Sequence, residues 1–384
     1  MGFATKKEYL DKVKLRYRTA SRKGKTKILD EFAQTYKCHR KHALRLLNKK
    51  SGAQRGKRGG KPLYDGDKII TALRRLWMAA DQPCSRRLVK LIPEWIAHYE
   101  RHFDPLDDQT RQKLLALSRA TCDRLLKPVR VTMKRKGLCG TKPGTLLKNM
   151  IPIKPFDLDI TKPGMIEADT VAHCGDSLVG SFVWSVSFTD AYSGWTEQKA
   201  VWNKGSAGVL NATRQVEQNL PFPITNFSTD SGSEFITHHL HSYFNGRKAP
   251  VSFTRTRPYK KNDNARVEQK NWTHVRQLLG YDRFDKPELV APINELYEIC
   301  GKLQNHFMPT FKLLSKRREG SKYVKKYETP QTPYARLMAS EHVGDEAKSK
   351  LSATHKKLDP FTLRKMVENK LRLVFNILKG KSGI

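Results

Sequence analysis

At Gly164 the pattern of the chain changes its period. Three runs rich in β-branched and aromatic residues follow one another at 165–173, 181–190 and 194–201, with a Tyr192-Ser193-Gly194 turn between the last two. Helix and strand patterns then alternate. A helix at 206–219 carries Val209, Leu210, Thr213 and Val216 on one face, and a short strand at 224–229, a helix at 234–244, a strand at 251–255 and a long helix at 264–279 follow. Consecutive strands followed by alternating helices and strands require an α/β sheet with a meander on one edge. Few other layer arrangements accept that order.

Charge divides the rest of the chain. Residues 1–62 hold 20 Lys and Arg against 4 Asp and Glu, whereas residues 161–250 hold 6 against 8. A near-neutral core thus lies between basic flanks, and the net charge of +36 calls for a polyanionic partner. A spanning helix would need about 18 consecutive apolar residues, and neither such a run nor a signal peptide is found. The expected setting is cytoplasmic, bacterial and nucleoid-associated, with no membrane partner. Six scattered cysteines without a CxxC suggest reduced thiols, not a disulfide framework or a zinc site.

With 384 residues the chain is expected to form several units. Residues 1–50 read as a helix-turn-helix DNA-binding domain with helices at 26–36 and 39–47. Its core would be Ile28, Phe32, Ala43, Leu44 and Leu47, and Lys37, Arg40, Lys41 and Arg45 would face DNA. Residues 51–62 are a basic, Gly-rich linker. Residues 63–130 repeat a helical, helix-turn-helix-like pattern (67–80, 85–99, 109–116 and 119–126), with Ser118 as an N-cap and Arg119 as a DNA contact. A second linker at 131–160 precedes the α/β core at 161–284. Residues 285–384 form a basic, mostly helical C-terminal region, with helices at 289–307 and 360–378. Between them lies a Lys/Arg-rich stretch at 312–326 with Phe311, Tyr323 and Tyr327, a composition suited to nucleic acid or to a solvated linker.

The chemistry is carried by acids in the α/β segment. Asp169 interrupts the apolar run of the first strand, Asp230 follows the fourth strand ahead of Gly232, and Glu268 opens the long helix on a face with Asn264, Asn271 and Trp272. Adjacent strands and a helix over the same edge would bring three anions together, and they would repel one another. Two Mg²⁺ ions, with Mn²⁺ able to substitute, would remove the conflict and serve an in-line phosphoryl displacement. Lys260, Lys261, Arg266 and Lys270 flank Glu268 and are candidate phosphate contacts. His173 is read either as a group near the site or as a satisfied strand-end histidine.

The ordered set of Asp169, Asp230 in Thr-Asp-Ser-Gly-Ser-Glu-Phe, and Glu268 some 38 positions later resembles the Asp-Asp-Glu core shared by retroviral integrases and bacterial insertion-sequence transposases. The stretches Arg257-Pro-Tyr-Lys-Lys-Asn-Asp-Asn-Ala-Arg-Val-Glu268, Asp169-Thr-Val-Ala-His173 and Thr189-Asp190-Ala-Tyr-Ser-Gly194-Trp195 add to the resemblance, which covers about a third of the chain. It implies a ribonuclease-H-like catalytic core with Asp169, Asp230 and Glu268 as catalytic and metal-binding residues. It also implies cleavage of element ends, strand transfer by a 3′-hydroxyl, and a homodimer or higher oligomer on double-stranded DNA comprising terminal repeats and target. Two alternatives stay open at this point: a nuclease that only hydrolyses, and a DNA-binding regulator derived from a transposase.

Overall fold

A computed structural model describes residues 3–49, 63–64, 66–132, 160–229, 238–255 and 265–380. The chain divides into two compact units, Met1–Leu63 and Tyr64–Ile384.

In the first unit, helices α1 (Phe3–Thr19), α2 (Arg22–Thr35) and α3 (Arg40–Asn48) enclose a small core of Val13, Tyr17, Leu29, Phe32, Ala43 and Leu47. Ser21 caps α2 by accepting the Gly24 N–H, and Lys37, at φ 48°, turns the chain out of it. The two helices expected at 26–36 and 39–47 are present. Helix α1 departs from the sequence pattern, because among its described side chains only Val13 and Tyr17 are buried, amid many cations. Leu44, expected in the core, is 39% exposed: Ala43 and Leu47, one turn apart, define the buried line, and Leu44 falls off it.

The second unit is built on a five-stranded mixed sheet in the order β3-β2-β1-β4-β5. Its strands are β1 (Met165–Ala172), β2 (Val183–Asp190), β3 (Thr196–Trp202), β4 (Asn226–Thr229) and β5 (Ser252–Arg255). β1, β2 and β3 form the antiparallel meander, and β4 and β5 add in parallel. Parallel pairing requires crossovers, supplied by α8 (Ser206–Asn219) and by the segment containing α9 (His238–Asn245). One face of β1, carrying Ile166 and Ala168, packs with Phe227, Val209 and Phe244. The other carries Glu167, Asp169 and Val171 beneath the helix that follows β5.

That helix runs as α10 (Ala265–Lys270), a π-helical turn (Asn271–Arg276) and α11 (Gln277–Leu279). Beyond it lies α12 (Val290–Phe307), which closes the free edge of β3. Asn305 accepts the Thr196 N–H at 2.9 Å and donates to the Thr196 carbonyl at 2.9 Å, and Asn294 does the same for Ala200 at 2.8 and 3.0 Å. Two side-chain amides thus take the place of a sixth strand. Gly164 admits no side chain: its φ is 115°, and a Cβ there would stand 2.6 Å from the Pro223 carbonyl oxygen.

Helices α4 (Asp67–Ala79), α5 (Ser85–His102), α6 (Asp108–Leu115) and α7 (Arg119–Thr132) form at the expected places. Ser118 caps α7 through the Thr121 N–H at 3.1 Å. Across the boundaries drawn at 130, 161 and 284 the apolar core is continuous. Leu73, Leu88 and Trp95 pack in one cluster with Phe284, Leu296 and Phe307, and with Phe361 and Val374 of the C-terminal helix. Polar contacts reinforce it: Trp95 donates to the Phe307 carbonyl, and Asp359 joins His98 and His102. The C-terminal region is mostly helical, and the exception is 313–327, over the Lys/Arg-rich stretch. Strands β6 (Leu313–Glu319) and β7 (Lys322–Tyr327) form an antiparallel ribbon before helices α13 (Pro333–Ala339), α14 (Asp345–Lys357) and α15 (Pro360–Leu378). Gly320, at φ 60°, makes the turn. Among the described residues no helix is long and apolar enough to cross a membrane.

Candidate active site

Asp169 sits on the central strand, paired across to Ser187 of β2, and is half-buried. Its Oδ1 accepts its neighbour Thr170's N–H at 2.8 Å, and its Oδ2 accepts the Asn271 side-chain amide at 2.7 Å. The second bond comes from the helix that bears Glu268. Glu268 and Asn271 are three positions apart and share a helix face, so the contact brings exposed Glu268 to the same edge of the sheet as Asp169. On the other side of β1 the parallel register sets Thr229 beside Ala168, one residue before Asp169. Asp230, the next residue in the chain, lies outside the described residues, as do Lys260 and Lys261. Among the described residues no three His, Cys, Asp or Glu side chains gather closely enough to hold a metal ion. The two described carboxylates are oxygen donors at a sheet edge, the kind of ligand a hard divalent cation takes.

Glu167 was not singled out, yet it anchors the helix. It is fully buried, Arg266 donates to its Oε1 at 2.6 Å, and the Val267 backbone N–H reaches Oε2 at 3.2 Å. Burial raises its pKa, and the Arg266 guanidinium and the two hydrogen bonds oppose that shift. Two acids two residues apart on one face of an apolar strand were a legible signal. One is half-buried at the sheet edge, and the other, fully buried, must be paired inside. Arg266, expected on DNA, is thereby held in an ion pair.

Directly after Lys270 the helix widens into the π turn, a feature common at functional sites. Its inner face meets Asp169, whose register partners across β2 and β3 are Ser187 and Gln198. Ser187 Oγ, Gln198 Nε2, Asn271 Oδ1 and His274 Nε2 are all buried there without a protein partner. A polar seam therefore runs behind Asp169, of the kind ordered water occupies. Lys270 lies on this inner side, where burial and the charges of Arg87 and Arg336 bring its pKa down to about 7. His274 is lowered for the same reasons, by burial and by Lys270 and Arg87.

His173 takes the structural role of its two readings. It is fully buried, bonded to Ser185 Oγ at 2.7 Å and edge-on to Phe284, and burial, helped by Arg276, brings its pKa to about 3. Asp190 is likewise structural: it accepts from Ser193 N, Ser193 Oγ and Gly164 N at 2.7, 2.6 and 2.9 Å, tying the β2–β3 turn to the start of β1. Of the other expected DNA contacts, Lys37, Lys41 and Arg45 are exposed on the first unit, Arg40 is paired with Asp30 at 2.6 Å, and Arg119 is exposed at the start of α7.

No family model matches the chain. It is 37% identical over 338 residues to the uncharacterized protein y4rM of Sinorhizobium fredii (strain NBRC 101917 / NGR234), a match covering 88% of this chain and 96% of that protein, and it belongs to the same family. Among solved structures, the HTLV-2 integrase catalytic core domain in complex with magnesium (dimeric form) is 14% identical with a TM-score of 0.29, over 38% of this chain and 90% of that one. The catalytic core domain of BIV integrase is 16% identical with a TM-score of 0.29, over 47% of this chain and 96% of that one.

Proposed function

We propose that this member of the y4rM family is a transposase of the Asp-Asp-Glu type, a metal-dependent polynucleotidyl transferase that cuts the ends of a DNA element and joins them to target DNA. The observation that carries the reading is the Asn271–Asp169 bond, which draws the Glu268 helix onto the strand bearing Asp169. In this reading Asp169, Asp230 and Glu268 hold two divalent cations, Mg²⁺ or Mn²⁺. When bound, the cations polarise the scissile phosphate and favour the deprotonated attacking hydroxyl. Asn271 keeps the Asp169 carboxylate turned toward the sheet edge, and the Glu167–Arg266 pair sets the height of the helix above it. Lys260 and Lys261 lie in sequence where a phosphate backbone would pass, whereas Lys270, on the inner side of the helix, is left out of that set. Lys37, Lys41, Arg45 and Arg119 supply exposed charge for a duplex, with the α2–α3 pair as the reading element. A homodimer or larger assembly holds two element ends.

The test is cleavage and joining of labelled DNA carrying the element's own ends, with Mg²⁺, Mn²⁺ or EDTA, comparing wild type with Asp169→Asn and Asp230→Asn. Metal-dependent joined products that vanish in both variants support the transposase. Cutting without joining leaves a hydrolytic nuclease, and tight binding without cutting leaves a regulator.

A further inference from the structure

The ribbon formed by β6 and β7 has no place in the reading above, and its surface is unusual. Six cations, Lys316, Arg317, Arg318, Lys322, Lys325 and Lys326, stand against the single acid Glu319 in fifteen residues, and apart from half-buried Leu313 and Lys316 every residue of the two strands is exposed. The register sorts these charges by face. Lys316 is opposite Lys325 and Arg318 is opposite Tyr323, so these four side chains share one face, and Lys316 Nζ lies 4.6 Å from the Tyr323 ring centroid. The other face carries Ser315, Arg317, Glu319, Lys322, Val324 and Lys326, and there Arg317 is paired with Glu319. Among the described residues no carboxylate pairs with Lys316, Arg318 or Lys325. Arg318 is held only through its Nε–H to the Gly320 carbonyl, at 3.1 Å.

Like charges directly opposite each other destabilise a strand pair, and a two-stranded ribbon alone is marginal in water. The arrangement is stabilised once a polyanion lies along the face. The ribbon's root is held against the rest of its unit: Lys312 packs 4.4 Å from the Tyr192 ring centroid in the β2–β3 turn, at the end of the sheet where β1 begins. Phe311 takes the Arg86 guanidinium on its ring at 5.0 Å.

We infer that the Lys316–Arg318–Tyr323–Lys325 face of the ribbon is a grip for double-stranded DNA, its cations set on the phosphates that border the major groove. A B-form major groove admits a two-stranded ribbon, whereas the deep, narrow major groove of duplex RNA does not. The ribbon's tip, Glu319-Gly320-Ser321, offers no apolar side chain to enter a bilayer. The inference deepens the proposed DNA chemistry by saying where duplex is held, and its test needs no catalysis.

Duplex binding by the full chain is measured in EDTA between 50 and 200 mM salt. Wild type is compared with Lys316→Gln/Arg318→Gln/Lys325→Gln and with an opposite-face variant, Arg317→Gln/Lys322→Gln/Lys326→Gln, that removes the same formal charge. Losing three phosphate contacts flattens the slope of log affinity against log salt by about 2.7, so wild type's advantage shrinks about 40-fold across that salt range. The opposite-face variant is expected to change the slope by less than about 1. Unchanged slopes, equal losses from both faces, or a wild-type preference for duplex RNA or anionic vesicles would overturn the inference. An unaltered unfolding midpoint shows that neither triple variant has disturbed the fold. Face-specific binding in a protein that cuts no DNA would uphold the grip and refute the transposase reading; cutting with equal losses from both faces would do the reverse.

Discussion

Arg266→Met separates two roles for one side chain. If Arg266 serves chiefly as the partner of Glu167, its removal leaves a carboxylate with no exposed surface, facing only backbone N–H groups of Arg266 and Val267 among the described residues and no opposite charge. Breaking a buried ion pair from one side costs about 3–5 kcal/mol. Because the Arg266 side chain is itself 35% exposed, part of that attraction is already screened, and about 2–3 kcal/mol is expected here. Glu167→Gln should cost only about 1 kcal/mol, since the amide oxygen still accepts the Val267 N–H and the released guanidinium can reach water. The pH dependence has a definite sign. Burial sets the folded pKa of Glu167 above its ordinary value, and loss of Arg266 raises it further. Between the unfolded and folded values the native chain therefore binds more protons than the unfolded one, and stability falls as pH rises through that window. The Arg266→Met deficit should therefore be larger at pH 7.5 than at pH 5. Urea unfolding followed by tryptophan fluorescence reads it cleanly, because all six Trp lie within Tyr64–Ile384. Equal costs for the two variants, or an Arg266→Met deficit that does not change on acidification, would refute the reasoning. A variant of full stability with weakened DNA binding would return Arg266 to the role first expected of it.

Asn271→Ala removes the bond to Asp169 Oδ2 while leaving the Thr170 N–H on Oδ1, and is expected to raise the Mg²⁺ concentration for half-maximal cleavage by about 10–100-fold, measured by metal titration with little change in unfolding midpoint. Lys270 titrates near 7 in the fold, below its ordinary range, so the unfolded chain binds the extra proton and wild type gains stability from pH 7 to 10; Lys270→Met should lack that gain in paired unfolding curves. Asn305→Leu strips both bonds from Thr196 at the edge of β3 and should cost about 1–3 kcal/mol, whereas a variant as stable as wild type would show that water replaces the amide.

Local pattern determined much of this protein. The change of period at Gly164, the three meander strands, the crossover α8 at 206–219 and the terminal α15 at 360–378 were readable from side chains alone, because each buries a face whose spacing is set by strand or helix geometry. Asp169 stood out for the same reason, as a charge in an apolar run. Other features depended on partners far away in the chain. The single core joining residues 64–132 to α12 and α15 could not be seen locally, since an apolar helix face shows that it is buried and not against what. The β6–β7 ribbon escaped because all but Leu313 and Lys316 of its strand residues are exposed, so no apolar alternation marks it. Glu167 and Asp169 lie two residues apart on one strand face, with the same charge. Only the helix laid across them decided which is sealed against Arg266 and which is held at the open edge by Asn271, because the cost of burying a charge depends on what stands opposite it.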